Sequence, residues 1–209
     1  MIVVAISDTH GLHDKCKLPE GDMLIHAGDI TEYGTEEEVV DFLFWFEKQP
    51  FKYKVFIAGN HDLFFDENAP ERIIALIPAN VIYLQGTGIT IEKLKIWGSP
   101  VIPAAIGMAF ERKGEKLENA WAKMPPYLDI LITHGPPKGI LDDGHGCEIL
   151  SARMEQMKPK LHIFGHIHGQ RGIKTEGGTT FINASMVIPV ESQYWQGYKL
   201  AGEPYSLII

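Results

Sequence analysis

Short apolar runs punctuate the chain, and five of them end in a residue able to hold a metal ion. Val3-Val4-Ala5-Ile6-Ser7 leads into Asp8-Thr9-His10, and Met23-Leu24-Ile25-His26-Ala27-Gly28 leads into Asp29. Tyr53-Lys54-Val55-Phe56-Ile57-Ala58-Gly59 leads into Asn60-His61-Asp62, Leu128-Asp129-Ile130-Leu131-Ile132-Thr133 into His134, and Leu161-His162-Ile163-Phe164-Gly165 into His166-Ile167-His168. Apolar runs of this length, bounded by turn residues, predict buried strands. Side chains alternate along a strand, so a chain still extended at Gly165 projects His166 and His168 to one side. Ligands of open α/β sheets collect outside the carboxyl ends of the strands. The five runs therefore deliver Asp8, His10, Asp29, Asn60, His134, His166 and His168 to one rim. His26 lies inside its run and reads as a packed, hydrogen-bonded histidine.

The first strand is predicted over 2–7, the second over 23–27 and the third over 53–58. Thr35 with Glu38 forms a capping box for a helix over 35–49. Its Val39, Phe42, Leu43 and Phe46 recur at helical spacing and face the sheet. A β-α-β order predicts that these strands are parallel. A helix follows over 70–77, with Pro70 at its start. Short strands over 81–84, 88–92 and 94–98, with Gly86 and Gly88 between them, predict an antiparallel middle section. Residues 99–109 read as a loop over the rim, and 110–124 as a helix stopped by Pro125-Pro126. A strand over 128–132, a glycine-rich loop over 139–147, a helix over 148–158 and strands over 172–176 and 179–183 complete a second sheet. The tail from Pro189 carries little pattern.

Composition narrows the function classes only modestly. The 209 residues carry a formal net charge of −8, which disfavours a protein that tracks a nucleic-acid backbone. Cys16 and Cys147 lie outside any CxxC and read as free thiols of a reducing compartment. The first apolar run is short and lacks a basic region before it, so it does not read as a signal peptide. No run reaches the roughly 18 apolar residues of a membrane span. The expected location is the cytoplasm. Nothing in the sequence bears on the oligomeric state.

Asp8-x-His10, Gly28-Asp29, Gly59-Asn60-His61-Asp62, His134 and Gly165-His166-x-His168 are similar to the five signature blocks of the calcineurin-like metallophosphoesterases, in the same order. The resemblance spans residues 8–168. It is strongest to the metallophosphoesterase-domain branch, through Gly28-Asp29-Ile30-Thr31-Glu32, Thr133-His134-Gly135-Pro136-Pro137 and Ile182-Asn183-Ala184-Ser185 among other stretches. It implies an α/β fold of two packed mixed sheets flanked by helices, with residues 1–209 forming one domain. It also implies two divalent metal ions. Asp8, His10 and His168 would hold one; Asn60, His134 and His166 would hold the other; Asp29 would bridge them, because a carboxylate has two oxygens with spare lone pairs. Some animal members of the branch carry glycine in place of His166, so its presence here implies an intact centre. His61 would protonate the leaving group. Glu32 stands where phosphoprotein phosphatases of the superfamily have an aspartate that orients this histidine. Tyr33 stands where they have a substrate-gripping arginine, a departure that disfavours a phosphoprotein substrate.

The chemistry suits these residue types. Two cations about 3.5–4 Å apart neutralise the attacking and departing oxygens of a phosphoester and bring the pKa of water near 7. Imidazole, carboxylate and amide without thiolate suit Mn²⁺, Fe, Ni or Zn; the resemblance favours Mn²⁺. Arg171 and Arg112, or Lys113, are candidates to hold a phosphate oxygen, each with a solvated surface charge as the alternative. His145, in the glycine-rich loop, is a further candidate at the rim. The expected activity is hydrolysis of small phosphodiesters, cyclic nucleotides included. A nucleotide phosphomonoesterase is the alternative within enzymes, and a non-catalytic interaction module on the same fold is the alternative outside them.

Overall fold

The computed structural model describes residues 1–192 and 195–209. Two mixed sheets pack face to face. In the first, β1 (Ile2–Ile6), β2 (Met23–Ala27), β3 (Tyr53–Ile57) and β4 (Ile82–Tyr83) run parallel in that order, and β15 (Tyr205–Ile208) pairs antiparallel with β1. The second has the order β11 (Gly172–Glu176), β12 (Thr179–Asn183), β10 (Leu161–Phe164), β9 (Ile130–Thr133), β6 (Leu94–Ser99), β5 (Thr87–Ile91). Its four central strands are parallel and its two edge strands antiparallel.

Alternation along each strand explains the layering. Val3, Ala5, Ile25, Val55 and Ile57 of the first sheet meet Ile96, Ile130, Ile132, Ile163 and Ile182 of the second. The opposite face of the first sheet, with Val4, Ile6, Leu24 and Phe56, packs on Phe42 and Phe46 of α1 (Glu36–Glu47). Phe64 and Phe65 of α2 (Leu63–Glu67) and Ile73 of α3 (Pro70–Leu76) join that layer. Trp97, Leu131, Phe164 and Phe181 of the second sheet pack on Trp121 of α4 (Glu115–Ala122) and Leu150 and Met154 of α5 (Glu148–Met157). The predicted capping box is present: Thr35 Oγ1 accepts from Glu38 N, and the Glu38 carboxylate accepts from Thr35 N. The sheets join at the rim, where Ser7 N donates to Ala184 O and Met186 N donates to Ser7 O.

Four expectations need correction. The antiparallel middle section is only the β5–β6 hairpin, turned through Glu92 and Lys93 at positive φ; β4 belongs to the first sheet and runs parallel to β3. The helix over 110–124 begins later, at Glu115. Phe110 is buried against the first sheet's helices, which a place on α4 would not allow, and a short ladder of β7 (Ile102–Pro103) with β8 (Glu111–Arg112) replaces the first turns. The strand before the double-histidine motif stops at Phe164, because His166 adopts φ 68°, which turns the chain out of the extended conformation. The unpatterned tail is regular. β13 (Val187–Ser192) and β14 (Trp195–Leu200) form a hairpin, and β15 closes on β1; residues 193 and 194 of that tail lie outside the described residues. Among the described residues no helix is long and apolar enough to cross a membrane.

Candidate metal centre

The rim is built from turns that fold each polar side chain back over its own strand end. Asp8, His10, Asp29 and His166 all sit at positive φ, between 42° and 68°. That region is costly for residues other than glycine and persists where the surroundings over-determine it. Here they do. Asp8 N donates to Gly28 O at 2.8 Å and His10 N to Asp29 O at 3.1 Å, tying the first two turns together. His166 N donates to Asp8 Oδ1 at 2.9 Å, and Ser185 Oγ lies 2.9 Å from Asp8 Oδ2, which brings in the second sheet. Gly165 and Gly59 permit the approach: a Cβ on the first would collide with Asp8 Oδ2 and Ser7 Oγ, and on the second with Asp29 Oδ1.

These turns gather seven side chains. One oxygen or nitrogen from each of Asp8, His10, Asp29 and His168 lies within 4.8 Å of the others, and the same holds for Asp29, His134 and His166. Asp29 belongs to both groups. Its Oδ2 is 3.6 Å from His10 Nε2 and 3.3 Å from His134 Nε2. His10 Nε2 and His168 Nε2 approach to 3.4 Å, and His168 Nε2 is 3.2 Å from Asp8 Oδ1. Asn60 Oδ1 joins the second group, 2.8 Å from His134 Nε2. The Ala27 carbonyl lies 3.0 Å from His134 Nδ1, which fixes the ring and aims its other nitrogen into the cluster.

The electrostatics favour a cation. Burial lowers the pKa of His10 and of His166 to about 4, leaving both neutral, the form that binds metal. Burial alone would raise Asp8 and Asp29. The hydrogen bond and charge of His168 nonetheless hold Asp8 low, and the charge of His134 holds Asp29 low, so both stay ionised. Burial would likewise lower His134, but the Asp29 carboxylate raises it to about 9. Imidazole nitrogens converging on ionised carboxylates, in two groups that share one of them, suit divalent metal with N and O ligands.

The other sequence candidates fall around this cluster. His61 N donates to Asp29 Oδ1 at 2.9 Å, and its ring lies edge-on to His10 with centroids 4.6 Å apart. The Glu32 carboxylate faces His10 Nδ1 at 3.6 Å; the group that meets the His61 ring is the Glu32 main-chain carbonyl, 2.9 Å from Nδ1. The Arg171 guanidinium bonds Tyr205 Oη at 2.6 Å and the Glu203 carbonyl, and the Arg112 guanidinium pairs with Asp66. Both are spoken for by protein partners. His26 donates from Nε2 to Thr9 Oγ1 and accepts at Nδ1 from Gly28 N, so it buttresses the first two turns from inside the core.

Two contributors have no signal in the apolar pattern. Asp62 is buried and accepts from Ile30 N, Thr31 N, Thr31 Oγ1 and Gly59 N, which staples the Asp29 turn to the Asn60 turn. Its place in the Asn60-His61-Asp62 block is the one hint the sequence holds. Tyr198, on β14, stacks on His10 with centroids 3.9 Å apart.

The family described as Calcineurin-like phosphoesterase matches residues 1–170 of the chain. Metallophosphoesterase domain-containing protein 1 of Homo sapiens is 39% identical over 212 residues, covering 88% of this chain and 65% of that protein. A UPF0046 protein of Caenorhabditis elegans is 41% identical over 199 residues, covering 88% and 69%. The chain thus spans 65% of the length of the human relative. The crystal structure of TT1561 of Thermus thermophilus has a TM-score of 0.65 at 13% identity, covering 95% of this chain and 98% of that one, a likeness of fold alone.

Proposed function

The chain belongs to the calcineurin-like phosphoesterase family, and on that premise we propose that it hydrolyses small phosphodiesters with two divalent ions, Mn²⁺ by preference. The observation that carries this reading is Asp29, whose carboxylate lies within ligand distance of both side-chain groups. Asp8, His10 and His168 would hold one ion with it, and Asn60, His134 and His166 the other. Bound there, the ions would supply charge neutralisation for the phosphoryl oxygens and a nucleophile at neutral pH. His61 gives its proton to the departing alkoxide oxygen. The Glu32 carbonyl holds Nδ1 of that ring, so the proton given up is the one on Nε2. Asp62 and Ser185 keep the turns from opening while charge develops. The acidic balance of −8 supports a small substrate over a nucleic-acid chain.

The test is an assay of bis-nitrophenyl phosphate, mononitrophenyl phosphate and cyclic AMP after chelation, with and without added Mn²⁺. Turnover only with metal, faster on the diesters than on the monoester, is the expected result. Faster monoester turnover would make the chain a phosphomonoesterase. Failure to bind or turn over with Mn²⁺, Fe²⁺, Ni²⁺ or Zn²⁺ would leave the interaction module.

A further inference from the structure

A cleft of about 630 Å³ opens beside His166 and His168. Ile102 and Pro103 of β7, the following Ala104, and Ile188 and Pro189 of β13 line it. Asp143 and His145 of the glycine-rich loop are its other polar lining residues beside His166 and His168. That loop is preset: Asp142 Oδ2 accepts from Gly139 N and Gly146 N, and the Asp142 carbonyl accepts from His145 N. Among the described residues no lysine or arginine lines the cleft. Its size suits one small ligand held by apolar walls and a few polar groups. Away from the two histidines, with no lysine or arginine and with Asp143 in its lining, it is a poor seat for a second phosphate.

Resting on the phosphodiesterase reading above, we propose that this cleft seats the ester group that stays on phosphorus, and that it selects an uncharged planar ring, with His145 as its polar contact. The test compares bis-nitrophenyl phosphate with methyl nitrophenyl phosphate, both with Mn²⁺. Both expel nitrophenolate and differ only in the group retained. Ala104→Trp and, separately, Pro189→Trp each place a bulky side chain in the lining of the cleft. The aryl-to-methyl ratio of kcat/KM is expected to fall about tenfold or more in either variant, and to fall less in His145→Ala. A ratio unchanged in both tryptophan variants, each folded by thermal unfolding, overturns the proposal. Wild-type protein inert on both esters overturns the phosphodiesterase reading instead.

Tyr198 carries a second, independent inference. It lies outside the 1–170 family match. Its ring stacks on His10 at 21° between planes and lies edge-on to His168 at 5.4 Å. His134 has a carbonyl to orient it, whereas the nearest acceptor to His10 Nδ1, the Glu32 carboxylate, stands off at 3.6 Å, beyond hydrogen-bond distance. We infer that Tyr198 is the positioning residue that fixes the His10 ring plane, by stacking in place of a hydrogen bond. Calorimetric titration of Mn²⁺ into metal-free protein tests this. Tyr198→Leu is expected to bind about 10–100-fold more weakly, and Tyr198→Phe, which keeps the stack, to bind as wild type. Wild-type affinity in the leucine variant, or an equal loss in the phenylalanine variant, overturns the inference. Tyr198→Met repeats the test if the leucine variant unfolds. Wild-type protein that takes up no metal removes the metal-centre reading itself.

Discussion

The Nδ1 of His61 lies 2.9 Å from the main-chain carbonyl of Glu32. A carbonyl only accepts, so Nδ1 carries a proton; an acid role uses the imidazolium form, whose second proton sits on Nε2 and is the one given away. The orienting group is backbone, which a side-chain substitution leaves in place. His61→Ala is therefore expected to cost about 10²–10⁴-fold in kcat on a diester with an alkoxide leaving group, and much less on a nitrophenyl ester, whose leaving group needs no proton. Glu32→Gln should change the ratio between those two substrates little. Equal losses on both substrates in His61→Ala would count against the acid role.

Asp62 concentrates four hydrogen bonds from two separate turns on one buried carboxylate. Removing it leaves buried N–H groups unpaired, each costing about 1–3 kcal/mol. Asp62→Ala is expected to lose at least about 3 kcal/mol in urea unfolding. Asp62→Asn, which keeps one acceptor oxygen, should lose less.

The two glycines of the double-histidine segment make a matched pair. Gly165 faces Asp8 and Ser7 with no room for a methyl group, while Gly169 has open space around it and ordinary φ. Gly165→Ala should abolish Mn²⁺ binding measured by calorimetry, because Asp8 must move. Gly169→Ala should leave it unchanged. Equal binding by both variants would mean that the Asp8 carboxylate is not a ligand.

His162 predicts a pH dependence away from the metal centre. The Thr133 hydroxyl donates to the Gly135 carbonyl, so its oxygen accepts from His162 Nε2 at 2.8 Å. Burial pushes its pKa down from 6.5 to about 3. Between those values the unfolded chain holds the extra proton, so this contribution to stability is complete above pH 6.5 and falls as pH drops through the window. Urea unfolding of wild type and His162→Gln should show the stability gap narrowing by about 1.4 kcal/mol per pH unit below about 6.5. A gap constant with pH would mean that the ring takes up its proton at the same pH in the fold as in the unfolded chain.

Much of the centre is legible along the chain because strand ends are local features. An apolar run predicts a strand, its last residue marks the rim, and the next polar residue is a candidate ligand; Asp29, Asn60, His134 and His166 follow that rule, and Asp8 comes one residue later, after Ser7. Helical spacing also assigned Val39, Phe42, Leu43 and Phe46 to the buried face of α1, where they are. The tertiary structure decided what depends on segments far apart. It gave Arg171 to Tyr205 and Arg112 to Asp66, since a long guanidinium takes whichever carboxylate, phenol or carbonyl the fold brings near. It turned His166 by backbone strain that the Asp8 carboxylate supports from 158 residues away. It set Tyr198 on His10 from a hairpin with no apolar rhythm. Local periodicity carries no record of such pairings, because the free energy that selects them arises only when the two sheets close on each other.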